Sequence, residues 1–407
     1  MPRKRVKKSE AEAAFSGASR LSALADVAKK AGDWEPGLEA LSRVRAVPTM
    51  FPQLNLATRC GGWPIERFCM VHGPSNHGKT VVLHGIGASF LALDHMYAYV
   101  DAEMTTPEDW VVKLLGKFAQ HPGFVAQRPK SYEQTVDSVR ALVEGIADKR
   151  EKKEIPADTT ALVVVDSIRK LVPRRLMEAI AALGAQGKKG NKEGSIDGMS
   201  GRAAMYKAAL NGQWLDELTP LLYHTGTALV FVAREIENTE RTGSGGGFDD
   251  VKVTGGKGIY FDSSLAMRIT RAEWIMQGSK DSATVVGERH RLTIHKTKVG
   301  GKDGRVATAH VHTSNGELIP EGFDLARDYL ELAMEFNLVE QENDKSAWLT
   351  WKSTGQRWNG RNQAVKDLTD TPQLLKDFKI EVETASKEER DERSKKNSAD
   401  QDVGNPS

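Results

Sequence analysis

The sequence predicts an α/β fold with a mostly parallel sheet as its core, a small helical N-terminal module and a small α+β C-terminal domain. Short β-branched runs at Phe68–His72, Tyr97–Val100, Ala161–Val165 and Ala228–Ala233 alternate with helical patterns, as stacked βαβ units do. Glycine or polar residues close these runs, namely Gly73, Asp101, Asp166 and Arg234-Glu235. Such sheets bind ligands at those strand ends. A chain of 407 residues also has room for one large core and one or two smaller modules.

Composition narrows the class. With 39% hydrophobic and 28% charged residues, the chain lies far from the disordered regime. A net charge of +2 excludes a polycation, so any affinity for nucleic acid must come from local clusters of Lys and Arg. Cys60 and Cys69 are too few for a disulfide framework and suit a reducing compartment. The longest apolar runs are broken by His84 or Asp94, short of the roughly 18 residues a membrane span needs. No membrane partner is expected, and the location is read as cytoplasmic.

Taken in order, residues 1–47 combine a basic run, Met1–Lys8, with a helical stretch over about 9–45. The run fits a solvated tail, a nucleic-acid contact or an import signal. Residues 48–320 form the α/β core. Two Gly-rich stretches, Gly184–Gly194 and Glu237–Gly258, interrupt it and read as long mobile loops. From about 321 to 386 a helical pattern returns, carrying Trp348, Trp351 and Trp358. Residues 387–407 mix acids and bases without apolar periodicity and are expected to be disordered.

The chemistry concentrates in Gly73-Pro74-Ser75-Asn76-His77-Gly78-Lys79-Thr80, set between a strand and a helix. In that context the glycines let the backbone curl until successive N–H groups point inward at a helix N-terminus, forming an anion cradle. Lys79 supplies charge to the β and γ phosphates of ATP, and the Thr80 hydroxyl suits Mg²⁺. Five apolar residues deliver Asp166 to the same edge, as a second Mg²⁺ contact or, alone, as a helix cap. Glu103, beyond the strand Tyr97–Val100, is the candidate to deprotonate an attacking water. Read alone, it is equally an exposed acid.

Together these segments resemble the RecA recombinases over about residues 48–385. The run Val100-Asp101-Ala102-Glu103, followed by Trp110 and Lys113-Leu114-Leu115-Gly116, is similar to that family's acid-bearing strand and following helix. Val164-Val165-Asp166-Ser167 is similar to its second nucleotide motif. The resemblance implies a RecA-like P-loop ATPase core in which Glu103 is the catalytic base and Trp110 packs on adenine. It assigns about 174–202 and 236–259 as DNA-binding loops, with Lys188, Lys189, Lys192, Arg202, Gly255, Gly256 and Lys257 at the strand. Lys296 and Lys298, on one face of a strand, would reach a neighbouring protomer's ATP. The C-terminal domain would gather duplex DNA.

The implied protein is a DNA-dependent ATPase that forms helical filaments on single-stranded DNA, with ATP at the protomer interface. It would exchange strands in recombination and in repair of DNA damage, acting at the nucleoid or in a phage-infected cytoplasm. Two alternatives share the motifs: a hexameric helicase of the same core, and a filament protein that coats DNA without hydrolysis. The chain departs from the family pattern where Arg234 replaces a polar amide that senses the γ-phosphate; there it would face the nucleotide and read the γ-phosphate by charge, or the coupling of ATP to DNA would differ. It departs too in a longer, more basic first loop and a charge-balanced tail, as in a divergent, phage-encoded member.

Overall fold

The computed structural model describes residues 44–178, 196–236, 252–254, 257–278, 283–300, 302–313, 322–343 and 346–402, with Val27, Lys30 and Gly32 before them. The expected N-terminal helical module, Lys188, Lys189, Lys192, Gly255 and Gly256 therefore lie outside the described residues.

The chain runs through β1 (Ala46–Val47), α1 (Pro52–Ala57), β2 (Trp63–Pro64), β3 (Arg67–Gly73), α2 (Lys79–Leu91) and β4 (Met96–Asp101). It continues through α3 (Glu108–Leu115), β5 (Phe124–Gln127), α4 (Tyr132–Glu151), β6 (Ala161–Asp166), α5 (Ile196–Thr225) and β7 (Ala228–Ile236). Next come β8 (Lys252–Val253), α6 (Lys257–Asp262), β9 (Leu265–Gln277), β10 (Thr284–Thr297), β11 (Val306–His312) and β12 (Gly322–Phe323). The last elements are α7 (Leu325–Glu335), β13 (Val339–Gln341), β14 (Trp348–Trp351), β15 (Arg357–Asn359), α8 (Arg361–Asp370) and α9 (Pro372–Asp402).

The main sheet has the order β12-β11-β10-β9-β3-β7-β6-β4-β5, with β8 paired to the end of β7. From β9 to β5 every neighbouring pair is parallel, and β10 to β12 add an antiparallel extension. The four apolar runs of the sequence are β3, β4, β6 and β7, side by side at its centre. They are apolar throughout because helices cover both faces. On one face α4 and α5 bring Val139, Val143, Trp214 and Leu218 onto Val163, Val165 and Phe231. On the other, α2 buries Val82, Leu83, Ile86 and Phe90 completely.

The C-terminal domain has its own core, in which Leu330, Leu332, Leu368 and Phe378 pack with Trp351 and Trp358. The two indoles stack with centroids 6.5 Å apart, and the Phe378 ring meets Trp351 edge-on at 5.0 Å. Three expectations change in this region and in the first loop. The tryptophans sit on the antiparallel strands β14 and β15 rather than on a helix. Aromatic and β-branched residues around a turn at Gly355, whose φ is 73°, favour the hairpin. The stretch from Lys387, expected to lack structure, continues α9 to Asp402. Lys387/Asp391, Glu389/Arg393 and Glu392/Lys396 place opposite charges four residues apart, a spacing that supports a helix without an apolar stripe. Arg202 falls within α5 rather than in an irregular loop, in an Ala-containing stretch of good helix formers. Among the described residues, no helix is long and apolar enough to cross a membrane.

Candidate functional site

Strand register collects the polar strand ends into one row. Gly73 pairs with Arg234 across β3 and β7, and Asp101 pairs with Asp166 across β4 and β6. A cleft of about 640 Å³ opens along this carboxyl edge, walled by the loop Ser75–Thr80, Glu103, Trp110, Asp166 and Arg234.

The loop needs its glycines for two different reasons. At Gly73 a Cβ would overlap the Ile269 carbonyl, so the strand can lie this close to β9 only without a side chain. Gly78, with φ at 82°, is the left-handed cap of α2, and a Cβ there would overlap the His290 ring. Lys79 and Thr80 then open the helix, whose first-turn N–H groups have no intrahelical acceptor and face the cleft. The Lys79 ammonium is buried and donates to the carbonyls of Gly73 at 3.1 Å and Pro74 at 2.6 Å. Burial lowers its pKa, against the opposing pull of the Asp166 carboxylate.

Opposite the loop, the Thr80 hydroxyl donates to Asp166 Oδ2 at 2.5 Å, and the Tyr99 hydroxyl donates to the same oxygen at 3.3 Å. Burial pushes the Asp166 carboxyl up to about 6, although the Thr80 hydrogen bond pulls the other way. A buried carboxylate beside a hydroxyl is a hard-oxygen pair suited to a cation. Mg²⁺, which takes few protein ligands and completes its shell with water and phosphate oxygens, fits it. Thr80 and Asp166 would hold that ion.

Glu103 stands next to this pair. Its Oε1 accepts from the Ser167 hydroxyl at 2.7 Å, and Arg234 Nη2 donates to Oε1 at 3.3 Å and to Oε2 at 3.1 Å. Arg234, expected to face nucleotide, thus sits on the candidate base. Asp101 acts on the backbone instead. It accepts from the N–H groups of Thr105 and Thr106 and from Arg128 Nε, fixing the turn that carries Glu103. Trp110, on α3, lines the cleft and meets the His84 ring edge-on at 5.9 Å.

A further wall of the cleft carries no motif in the sequence. Arg271 on β9 donates from its backbone to His77 Nδ1 at 3.0 Å and from Nη2 to the Asn76 carbonyl at 2.5 Å. Its Nε donates to Glu288 Oε2 on β10 at 2.9 Å, and its guanidinium lies 3.9 Å from the centre of the Trp274 ring. Burial, then the Arg271 charge, lowers the His77 pKa. These contacts join residues 194 and 195 positions apart, and no local pattern marks them.

Lys296 and Lys298 are not brought to this cleft. Their ammonium groups donate to the carbonyl of Phe261 at the end of α6, at 2.6 and 2.9 Å, and Lys296 also donates to that of Tyr260. Burial, then Lys298, lowers the Lys296 pKa to about 8. Lys257 is the first residue of α6.

A family model described as the RecA N-terminal domain matches residues 22–316. Protein RecA of Acholeplasma laidlawii is 26% identical over 345 residues, covering 84% of this chain and 87% of that protein. Protein RecA of Corynebacterium urealyticum is 27% identical over 334 residues, covering 81% and 75%. That of Frankia casuarinae is 26% identical over 341 residues, covering 83% of each. With the glycine loop, the Thr80–Asp166 pair and Glu103 on one sheet edge, and a match across most of its length, this chain belongs to the RecA family.

Proposed function

We propose that the protein is an ATP-dependent DNA recombinase that assembles into filaments on single-stranded DNA and pairs that strand with a homologous duplex. The observation that carries this reading is the convergence of Lys79, the Thr80–Asp166 pair and Glu103 on one cleft. In this reading the loop N–H groups and Lys79 bind the phosphates, Trp110 packs on the adenine, and Glu103 accepts the proton of the attacking water. Bound Mg²⁺ would neutralise charge between the phosphates.

Lys296 and Lys298 act on a neighbouring protomer's nucleotide, which their distance from their own protomer's cleft supports. Hydrolysis then requires assembly. The two loops, with Lys188, Lys189, Lys192, Arg202, Gly255, Gly256 and Lys257, hold single-stranded DNA chiefly through its phosphates. The C-terminal domain gathers duplex.

The test is ATP hydrolysis with and without single-stranded DNA, paired with electron microscopy of the assemblies. Wild type should hydrolyse ATP only slowly until DNA is added. Glu103→Gln should still bind ATP but lose about 10²-fold or more in turnover. Closed rings in place of helical filaments would favour a helicase, and filaments without hydrolysis a coating protein. Normal turnover by Glu103→Gln would remove the base assignment.

A further inference from the structure

The Asp166 carboxylate is held through one of its two oxygens. Oδ2 accepts from Thr80 on α2 at 2.5 Å and from Tyr99 on β4 at 3.3 Å, which fills its lone pairs and leaves acceptor capacity on Oδ1. A carboxylate held by a single donor still turns about its terminal torsion, whose wells are broad. A second donor, arriving from a different element, fixes the plane. The Tyr99 hydroxyl is that donor.

Tyr99 is itself placed by contacts that lead away from the metal pair. Its hydroxyl lies 3.0 Å from Thr106 Oγ1. A phenol has one proton, so a Tyr99 that donates to Asp166 accepts from Thr106, and the three groups form a chain of one direction. Thr106 is clamped in turn. Its N–H donates to Asp101 Oδ2 at 3.2 Å, and its carbonyl accepts from Arg128 Nη2 at 2.7 Å. The Tyr99 ring is 3% exposed and lies 4.7 Å from the ring of His84, the same ring that meets Trp110 edge-on. Burial on this scale leaves the hydroxyl little freedom to pair elsewhere.

We propose that Tyr99 is a positioning residue of the metal site, whose hydroxyl sets the plane of the Asp166 carboxylate and thereby the affinity of the cleft for magnesium-bound nucleotide. Thr80 cannot take over this role, because its one hydroxyl must serve both Asp166 and the cation. The Tyr99 bond makes no such double demand. Thr106 and Trp110 both line the cleft, so the chain links the wall proposed to take the base with the pair proposed to take the cation. This role deepens the ATPase reading above and rests on it.

The test uses full-length wild type, Tyr99→Phe, Thr106→Val and Tyr97→Phe. Affinity for a fluorescent ATP analogue is measured with magnesium and again with EDTA, and the ratio of the two is the magnesium gain. Tyr99→Phe keeps the ring against His84 and removes only the hydroxyl. Its magnesium gain should fall about tenfold, the low end of the effect of an outer-shell partner on metal affinity, while its affinity in EDTA is unchanged. Thr106→Val removes the donor behind Tyr99 and leaves the phenol in place, so the gain should fall by about threefold. Tyr97→Phe is the control, since it deletes a buried hydroxyl bonded to His84 Nδ1 at 3.0 Å instead of to Asp166, and it should match wild type. Should Tyr99→Phe prove unstable in thermal melting without magnesium, Thr106→Val carries the test alone. An unchanged gain in the Tyr99 and Thr106 variants, or an equal loss in Tyr97→Phe, overturns the positioning role and leaves the ATPase reading standing. If wild type binds no analogue or gains nothing from magnesium, the ATPase reading fails and the role fails with it.

Discussion

Strands β3, β4, β6 and β7 meet the cleft with their carboxyl ends, whereas β9 and β10 meet it with side chains from mid-strand. The first group is buried on both faces and delivers its chemistry in residues at or just beyond each strand end: Gly78 and Lys79, Glu103, Asp166, Arg234. The second mixes buried, half-buried and exposed positions, and Arg271, Glu288 and His290 arrive at the loop through cross-strand register. The parallel strands supply the groups that would touch phosphate. The antiparallel β9–β10 pair, whose β9 is itself parallel to β3, braces the loop that holds them.

If that division is right, the largest effect belongs to the parallel edge. Lys79→Ala should abolish detectable ATP binding and cut turnover by at least about a hundredfold, since the cradle loses its buried cation. Titration with a fluorescent nucleotide checks it, and retained affinity would break the division at its strongest point.

Asp166→Asn sharpens the same side by separating stability from function. The Asp166 carboxyl is raised by burial from the ordinary 3.8 to about 6. A folded-state value above the unfolded one means that the folded protein holds its proton more tightly. The resulting stabilisation is complete below pH 3.8 and is lost as the pH rises through about 6. At neutral pH the buried carboxylate therefore costs up to about 3 kcal/mol. Asp166→Asn removes that cost while its amide oxygen can still accept from Thr80. Thermal melting without nucleotide should show the variant several degrees more stable at pH 7.5, with the advantage shrinking toward pH 4.5. Stabilisation by magnesium and ATP should meanwhile be weakened. A variant less stable than wild type at pH 7.5 would mean that Asp166 is held for structure rather than for a cation.

What the sequence made legible follows the same division. The apolar runs of β3, β4, β6 and β7, and the spacing of Gly73, Gly78, Lys79 and Thr80, are local signals because burial on two faces and a tight loop each constrain consecutive residues. Asp166 and Glu103 could be picked out because each lies at or just past a strand end. Arg271, Glu288 and His290 could not, since nothing near them in the chain says which strand they will face. The partnership of Arg234 with Glu103 was hidden for the same reason, the two residues being joined only through β7, β6 and β4. Trp348, Trp351 and Trp358 misled because their spacing fits a helix as well as short strands, and a turn at Gly355 decided the matter. The continuation of α9 from Lys387 to Asp402 was missed because that stretch is supported by charge spacing rather than an apolar stripe.

The smallest expected effect tests the antiparallel side. Arg271 touches no atom proposed to react, but its Nη2 holds the carbonyl of Asn76, a non-glycine residue with φ at 59°. That conformation carries a backbone cost that surrounding contacts must offset. Arg271→Ala removes the contact and leaves Glu288, 17% exposed, without its guanidinium partner. The loop should then sample uncurled forms, and nucleotide must gather it before binding. The dissociation constant for ATP should rise by about three- to tenfold, on the scale of one charged hydrogen bond, with kcat at saturating ATP nearly unchanged. Arg271→Lys should recover only part of the loss, because one ammonium cannot span both Asn76 and Glu288 as the planar fork does. A fall in kcat at saturating ATP would show that β9 takes part in the reaction itself, and bracing would no longer describe the antiparallel strands.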